Sequence, residues 1–314
     1  MKISKEEVQR VVNKIFGNAK VNNITDLSGR INFVYNVGIS NPTKSLILKL
    51  NAFPQYDWRL EKEKYVTRLI TEHTDVPVPT IYLVDNTKDT FSTQYSLMSK
   101  IDGVDLESLL PNIDKSRKNE LMEKAGECLG KMNSIKFNRF GSIRGDSVVD
   151  GEENLEEHYR KFSEKTFSRI SGMEEAKGLI DNAKDFIERN IKLMQIPAEP
   201  CLIHYDYRPE NIMIKNGELS GILDFEACRS SHNELDFVQV EETIFTPYPE
   251  LEKPFLNGYQ KHSSISPSPE FEKRQKLYQL QFYLSLVFFE RDPTLKRKYA
   301  KIAEKILSSD KNGF

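Results

Sequence analysis

Cysteine is scarce. Three residues, Cys128, Cys201 and Cys228, occur in 314, an odd number with no CxxC spacing. That leaves no basis for a disulfide framework or a zinc knuckle and points to a reducing cytoplasm. Among the five histidines no HxxxH pair occurs, which argues against a zinc hydrolase. Neither sign of charge dominates: 45 Lys+Arg stand against 47 Asp+Glu, a net charge of −2. No basic field therefore favours nucleic acid or an anionic membrane. Long apolar runs are missing too. The strongest, Phe282 to Phe289, falls far short of the roughly 20 residues that span a bilayer. The charged start, Met1-Lys-Ile-Ser-Lys-Glu-Glu-Val8, lacks the apolar core of a signal peptide. Repeats and low-complexity tracts are lacking.

What is present is globular: 38% hydrophobic and 29% charged residues, enough for one large or two ordinary domains. The first hundred residues read as strands with one helix. Phe33 to Val37 and Ser45 to Leu50 are β-type runs around a turn at Asn41-Pro42. Asp57 is placed to cap a helix reaching about His73, with Tyr65, Val66, Leu69 and Ile70 as its apolar stripe. Val76-Pro-Val-Pro79 stops it, and strand-like segments follow at 80–84 and 91–98. Beyond Gly103 the pattern turns helical: Lys115 to Ile135, about 154–170, about 173–194, and again from about 234, most clearly 270–290. An all-β island at 201–224 interrupts them. This pattern predicts an α+β fold of two lobes, with a β-rich lobe over 1–98, a hinge at 99–102 and a helical lobe over 103–314. A ligand cleft is expected between them.

The chemistry concentrates in 201–226. Asn216-Gly217, flanked by apolar residues, is the preferred pair for a two-residue type I′ turn. Such a turn sets 215 opposite 218, 214 opposite 219 and 211 opposite 222. Asp224 then shares a face with Asn211, roughly 7–8 Å away at the backbone, close enough for both to reach one cation. A carboxylate and an amide oxygen suit Mg²⁺. Asp206, five residues before Asn211, is able to face the same point as a base.

His204-x-Asp206-x4-Asn211 followed by Asp224-Phe225-Glu226 resembles the catalytic and metal-binding loops of the protein-kinase-like superfamily, and most of all its aminoglycoside phosphotransferase and choline kinase branch. The resemblance implies a bilobal kinase fold, Asp206 as the base that orients an acceptor hydroxyl, and Asn211 and Asp224 as magnesium ligands. It implies ATP or GTP as phosphate donor, with direct in-line transfer. Arg208 stands where protein kinases carry lysine; it either touches the transferred phosphate or pairs with Glu210 or Glu226. Leu27 to Tyr35 resembles the branch's nucleotide loop, placing Ser28, Gly29, Arg30 and Asn32 at the phosphates, although GxGxxG is absent. Lys49 ends the apolar strand 46–50 and calls for a partner: Glu63, as in the branch, or Glu61. Phe91 to Ile101 resembles the hinge that meets the base, bringing in Ser99 and Ile101.

Departures bear on the acceptor. Tyr205 stands where the branch often has glycine, Ser231 to Asp236 where it often has a Gly-Asp-Pro element, and Asn133 where histidine is common. Asp236 still matches a structural acid, and His204 a structural histidine. From Asp224 to Glu242 six acids face one fixed cation, Arg229. The run is either a solvated face or a pocket for an amino-bearing acceptor such as an aminoglycoside, with Glu226, Glu234, Glu241 and Glu242 as its contacts. Choline, homoserine and an amino sugar remain alternatives, and the oligomeric state is unspecified. A protein kinase would need an activation segment and an Ala-Pro-Glu-like anchor after Asp224, and neither occurs. A pseudokinase scaffold would usually have lost Lys49, Asp206, Asn211 or Asp224, and all four stand.

Overall fold

The computed structural model describes residues 2–28, 32–53, 55–265 and 268–309. Its N-terminal region is a five-stranded antiparallel sheet in the order β1-β2-β3-β5-β4: β1 (Lys20–Asp26), β2 (Phe33–Ser40), β3 (Lys44–Leu50), β4 (Ile81–Asp85) and β5 (Tyr95–Ser99). Alternation along β2 sends Tyr35, Val37 and Ile39 into a core with Leu46, Leu48 and Leu50 of β3. The sequence reading places one helix here, but two are described. The first, α1 (Lys5–Phe16), starts at a reciprocal capping box between Ser4 and Glu7 and buries Val8, Val11 and Val12. The second, α2 (Arg59–His73), starts later than an Asp57 cap would set it, because Trp58 is the N-cap residue and no side chain caps the helix.

The remaining elements are mainly helical: α3 (Leu106–Leu109), α4 (Lys115–Asn133), α5 (Leu155–Ile170), α6 (Leu179–Asn190), α7 (Phe237–Val240), α8 (Glu252–Tyr259), α9 (Pro269–Phe289) and α10 (Pro293–Ser309). The expected 173–194 helix is shorter at both ends, because Gly178 at φ 75° delays its start and a 3-10 turn finishes it. A hairpin absent from the sequence reading, β7 (Phe140–Arg144) with β8 (Ser147–Glu152), joins β12 (Arg229–Ser231) and β9 (Cys201–Ile203) in a small sheet. α4 and α8 cross with their backbones nearly touching: a Cβ on Gly126 would collide with the Phe255 carbonyl, and one on Gly258 with that of Glu123. That crossing backs the loop after β9, whose Tyr207 hydroxyl donates to Ala125 O at 2.7 Å. No helix among the described residues is long and apolar enough to cross a membrane.

His158 on α5 stacks between Phe140 and Phe162, at 5.4 and 6.2 Å, with the Ser231 hydroxyl 3.3 Å from Nε2. Burial, helped by the nearby Arg229 charge, pushes its pKa down to about 3. Between that value and the ordinary 6.5 the unfolded chain binds a proton that the folded chain does not. Stability present above pH ~6.5 is therefore lost as pH falls, by up to about 1.4 kcal/mol per pH unit from this residue. Urea unfolding at neutral and mildly acid pH should show His158→Gln with a shallower acid loss than the parent. Equal slopes would contradict neutral burial.

Candidate active site

The loop after β9 is shaped by one buried acid. Asp236 accepts from the amides of His204 (3.1 Å) and Tyr205 (2.6 Å) and from Asn133 Nδ2 (3.0 Å), while the Tyr259 hydroxyl donates to Asn133 Oδ1 at 2.8 Å. Burial pushes the Asp236 carboxyl up to about 6. Its grip holds Tyr205 at φ 66°, a left-handed conformation uncommon for a bulky side chain. His204 Nδ1 accepts from the Asp206 amide at 3.3 Å, so Nε2 carries the proton and donates to Leu223 O at 3.0 Å, tying the loop to the hairpin.

Asp206 follows. Asn211 Nδ2 donates to its Oδ2 at 3.1 Å and to its carbonyl at 2.9 Å, and Gln239 Nε2 on α7 donates to Oδ1 at 3.1 Å. Arg208 Nε lies 3.3 Å from Oδ1, and its other end pairs with Glu210 at 2.7 Å. Burial pushes the Asp206 carboxyl up to about 7 against the pull of Arg208. Two hydrogen bonds and one ion pair therefore fix the direction of one carboxylate in a partly desolvated site.

The hairpin β10 (Ile212–Lys215) with β11 (Glu218–Ile222) turns at Asn216 and Gly217, both at positive φ. Its register begins as the turn dictates, Lys215 opposite Glu218 and Ile214 opposite Leu219, then slips at a bulge so that Ile212, not Asn211, faces Ile222. The extra residue is Ser220, whose hydroxyl donates to Asp102 O at 2.7 Å, while Lys215 pairs with the Asp102 carboxylate at 2.8 Å. The bulge thus ties the hairpin to the hinge, where Val104 of the short strand β6 (Val104–Asp105) pairs with Ile214. Leu223 N donates to Asn211 O at 2.9 Å, and Asp224 leaves the strand at φ 66°. A 3-10 turn over Phe225–Ala227 then points Glu226 back toward the sheet.

There Lys49 collects three acids. Its Nζ lies 3.1 Å from Glu63 Oε2, 3.6 Å from Asp224 Oδ1 and in contact with Glu226, which also pairs with Arg59 and accepts from Asn32 Nδ2 at 2.6 Å. Burial alone would pull the ammonium's pKa down, but Glu226, Glu63 and Asp224 outweigh it and hold it above its usual range. Burial raises Glu63. It would raise Glu226 as well, but Lys49 and Arg59 bring that carboxyl down.

These contacts correct several expectations. Glu226 is no acceptor contact, since Lys49, Arg59 and Asn32 occupy it and it is buried. Glu234 is spent on a buried bidentate pair with Arg274, at 2.7 and 2.6 Å. Glu241 and Glu242 are exposed and line a cavity of about 190 Å³ with Tyr283 of α9 and Ile302 and Ile306 of α10. Ser28 turns its amide onto Asp26 Oδ1 at 2.7 Å and accepts from Val34 N, so that amide is not free for phosphate. Ser99 likewise donates its amide to Thr80 O at 2.9 Å. Ile101 is half-buried in the hinge, its side chain over Gly221 of the hairpin. Gly29 and Arg30 lie outside the described residues. Of the two candidate glutamates, Lys49 takes Glu63, while Glu61 faces Asn86 at 3.5 Å. Sequence reasoning missed Gln239 and Arg59. Arg59 stood one helical turn before Glu63, which was a usable signal; nothing local marked Gln239.

Residues 24–267 match the Phosphotransferase enzyme family. The chain belongs to that family. Its fold is that of the aminoglycoside phosphotransferases. The phosphotransferase superimposes on aminoglycoside phosphotransferase APH(4)-Ia with a TM-score of 0.72 at 14% identity, over 98% of this chain and 99% of that one. A thermostable mutant of that enzyme in ternary complex with ADP and hygromycin B gives 0.72 at 15% identity, over 97% and 99%. The streptomycin–ATP–APH(2")-IIa ternary complex gives 0.67 at 16%, over 97% of each chain. Among curated proteins, the probable acyl-CoA dehydrogenase IBR3 of Arabidopsis thaliana is 24% identical over 206 residues, covering 62% of this phosphotransferase. The chain spans about a quarter of that relative's length, 24%.

Proposed function

We propose that this phosphotransferase moves the γ-phosphate of ATP or GTP, with Mg²⁺, onto the hydroxyl of a small molecule. The observation that carries the reading is the fixed Asp206 carboxylate, bonded to Asn211 and Gln239, beside a lysine-centred cluster of acids. Asp206 takes the acceptor hydroxyl's proton as the oxygen bonds to the γ-phosphorus. The bond from that phosphorus to the bridging oxygen breaks, and the nucleoside diphosphate leaves. Lys49 meets the donor's phosphates, while Arg208, already ion-paired with Asp206 and Glu210, helps to orient the base. Positioning and charge neutralisation supply the rate, without a covalent enzyme intermediate.

The donor set fits a hard cation. Glu63, Asp224 and Glu226 bring carboxylate oxygens within 4.8 Å of one another. Two of the three are buried against Lys49, leaving Asp224, whose side chain is 43% exposed, as the ligand. Asn211 spends its amide hydrogens on Asp206, so its Oδ1 is left to bind. Oxygen donors with water and phosphate suit Mg²⁺, which would neutralise phosphate charge. Asp224→Asn should raise the magnesium concentration needed for half-maximal activity at least ~tenfold and weaken nucleotide binding. A magnesium titration that superimposes on the parent's would remove Asp224 from the site.

An aminoglycoside-type acceptor, like those bound by the neighbouring enzymes, would have to rely on Glu241 and Glu242, since Glu226 and Glu234 are already ion-paired.

A further inference from the structure

Four cations rest on aromatic faces instead of on acids. The Arg229 guanidinium lies between the rings of Phe162 and Tyr205, 4.1 and 4.7 Å from their centroids. Arg169 lies 5.3 Å over Phe288 and 5.8 Å over Phe289, Arg291 4.4 Å over Phe53, and Lys62 5.0 Å over Trp58. None of these four cations forms an ion pair among the described residues, in a chain rich in acids. Arg229 is the most telling. Its Nε is buried with no acceptor, and burial together with the Arg169 charge disfavours its charged form. Ring faces offset only part of the cost of desolvating a cation.

Arg229 also sits beside the chemistry. On β12 it pairs with Ile203 of β9, and its guanidinium covers Tyr205, the residue before Asp206. Tyr205 adopts a left-handed conformation, and its ring lies beneath that cation. Phe288 and Phe289, the rings under Arg169, line a cavity of about 310 Å³ with Phe53, Tyr56, Arg291 and Lys296. Glu290 lines it too, but its Oε1 accepts from the amides of Arg291 and Asp292. Phe53 lies under Arg59 as well, and Arg59 joins Glu226 and through it Lys49, so this wall continues to the phosphate side.

Resting on the phosphotransfer reading above, we propose that the acceptor is an organic anion: a hydroxyl-bearing molecule whose carboxylate or phosphate group binds at Arg229 and whose apolar body lies against the surrounding rings. An anion there gives Arg229 the charged partner that the fold withholds, and the aromatic walls suit a hydrocarbon body better than a polyhydroxylated polycation. Glu241 and Glu242, the acids that would suit an amine, line the other cavity, with Tyr283 of α9 and Ile302 of α10.

The test uses the full chain with magnesium and ATP, and again with GTP. Hydroxyalkanoates and hydroxyalkyl phosphates of four to ten carbons are compared with amino alcohols of the same lengths, by product formation. The anions should be preferred in kcat/KM by at least ~tenfold, and Arg229→Gln should raise their KM by ~tenfold or more with kcat changed much less. Arg229→Lys should retain part of the preference. Preference for the amines, no preference, or no turnover of any probe would overturn the proposal, and the parent protein alone decides this if Arg229→Gln does not fold. Thermal stabilisation by Mg-ATP or Mg-GTP without acceptor keeps the two readings apart. If it is present while the anions fail, only the acceptor class is wrong; if it is absent, the kinase reading itself fails.

Discussion

Replacing Asp206 by alanine should lower turnover by ~10²–10⁴-fold while leaving nucleotide affinity within about threefold of the parent. The split follows from geometry. The Asp206 carboxylate is held by Asn211, Gln239 and Arg208, none of which belongs to the lysine cluster proposed to meet the donor's phosphates. Removing it deletes the proposed proton acceptor, which would also orient the hydroxyl, and leaves Lys49, Glu63 and Glu226 in place. Gln239→Ala should cost less, because two of the three contacts to Asp206 survive and only its orientation loosens. Turnover by Asp206→Ala near the parent level would dismiss it as the base.

Glu226→Ala should be the most damaging change to the fold within the site. Glu226 is 5% exposed and is shared by Lys49, Arg59 and Asn32. Removing it leaves the buried Lys49 with Glu63 and Asp224 alone and takes away the acid that the half-buried Arg59 pairs with. Breaking a buried pair by deleting one partner costs about 3–5 kcal/mol. Nucleotide binding should fall with it, because Lys49 loses the contact that sets its position. Urea unfolding of the two proteins measures the first effect and nucleotide titration the second. A stable Glu226→Ala protein with altered acceptor KM alone would return this residue to the acceptor side.

Family and fold were legible because their signals are local. The Asn216-Gly217 turn, the apolar flanks and the ordered His204, Asp206, Asn211 and Asp224 all fall within one stretch whose spacing constrains its shape. What was not legible depends on contacts distant in sequence or on backbone twists that composition does not announce. Glu226 looked like a member of an acidic run; its direction is set by the left-handed Asp224 and the turn after it, and its partner Asn32 is 194 residues away. Glu234 lost its place in that run to Arg274, 40 residues downstream on α9. The one-residue slip of the hairpin comes from Ser220 bonding the hinge, a tertiary contact that no turn rule contains. The acceptor reading suffered most, because counting acids along the chain ignores which of them the fold has already paired.

The most direct measurement of the central claim follows the phosphorus atom. The protein is incubated with magnesium and γ-labelled nucleotide in the presence of hydroxyl-bearing acceptors, and the label is located by separation of the products. Phosphoryl transfer from the site built on Asp206, Asn211, Asp224 and Lys49 predicts label in an organic phosphate ester, none retained on the protein, and loss of the ester with Asp206→Ala. Label found only as inorganic phosphate, or held covalently by the protein, would contradict it.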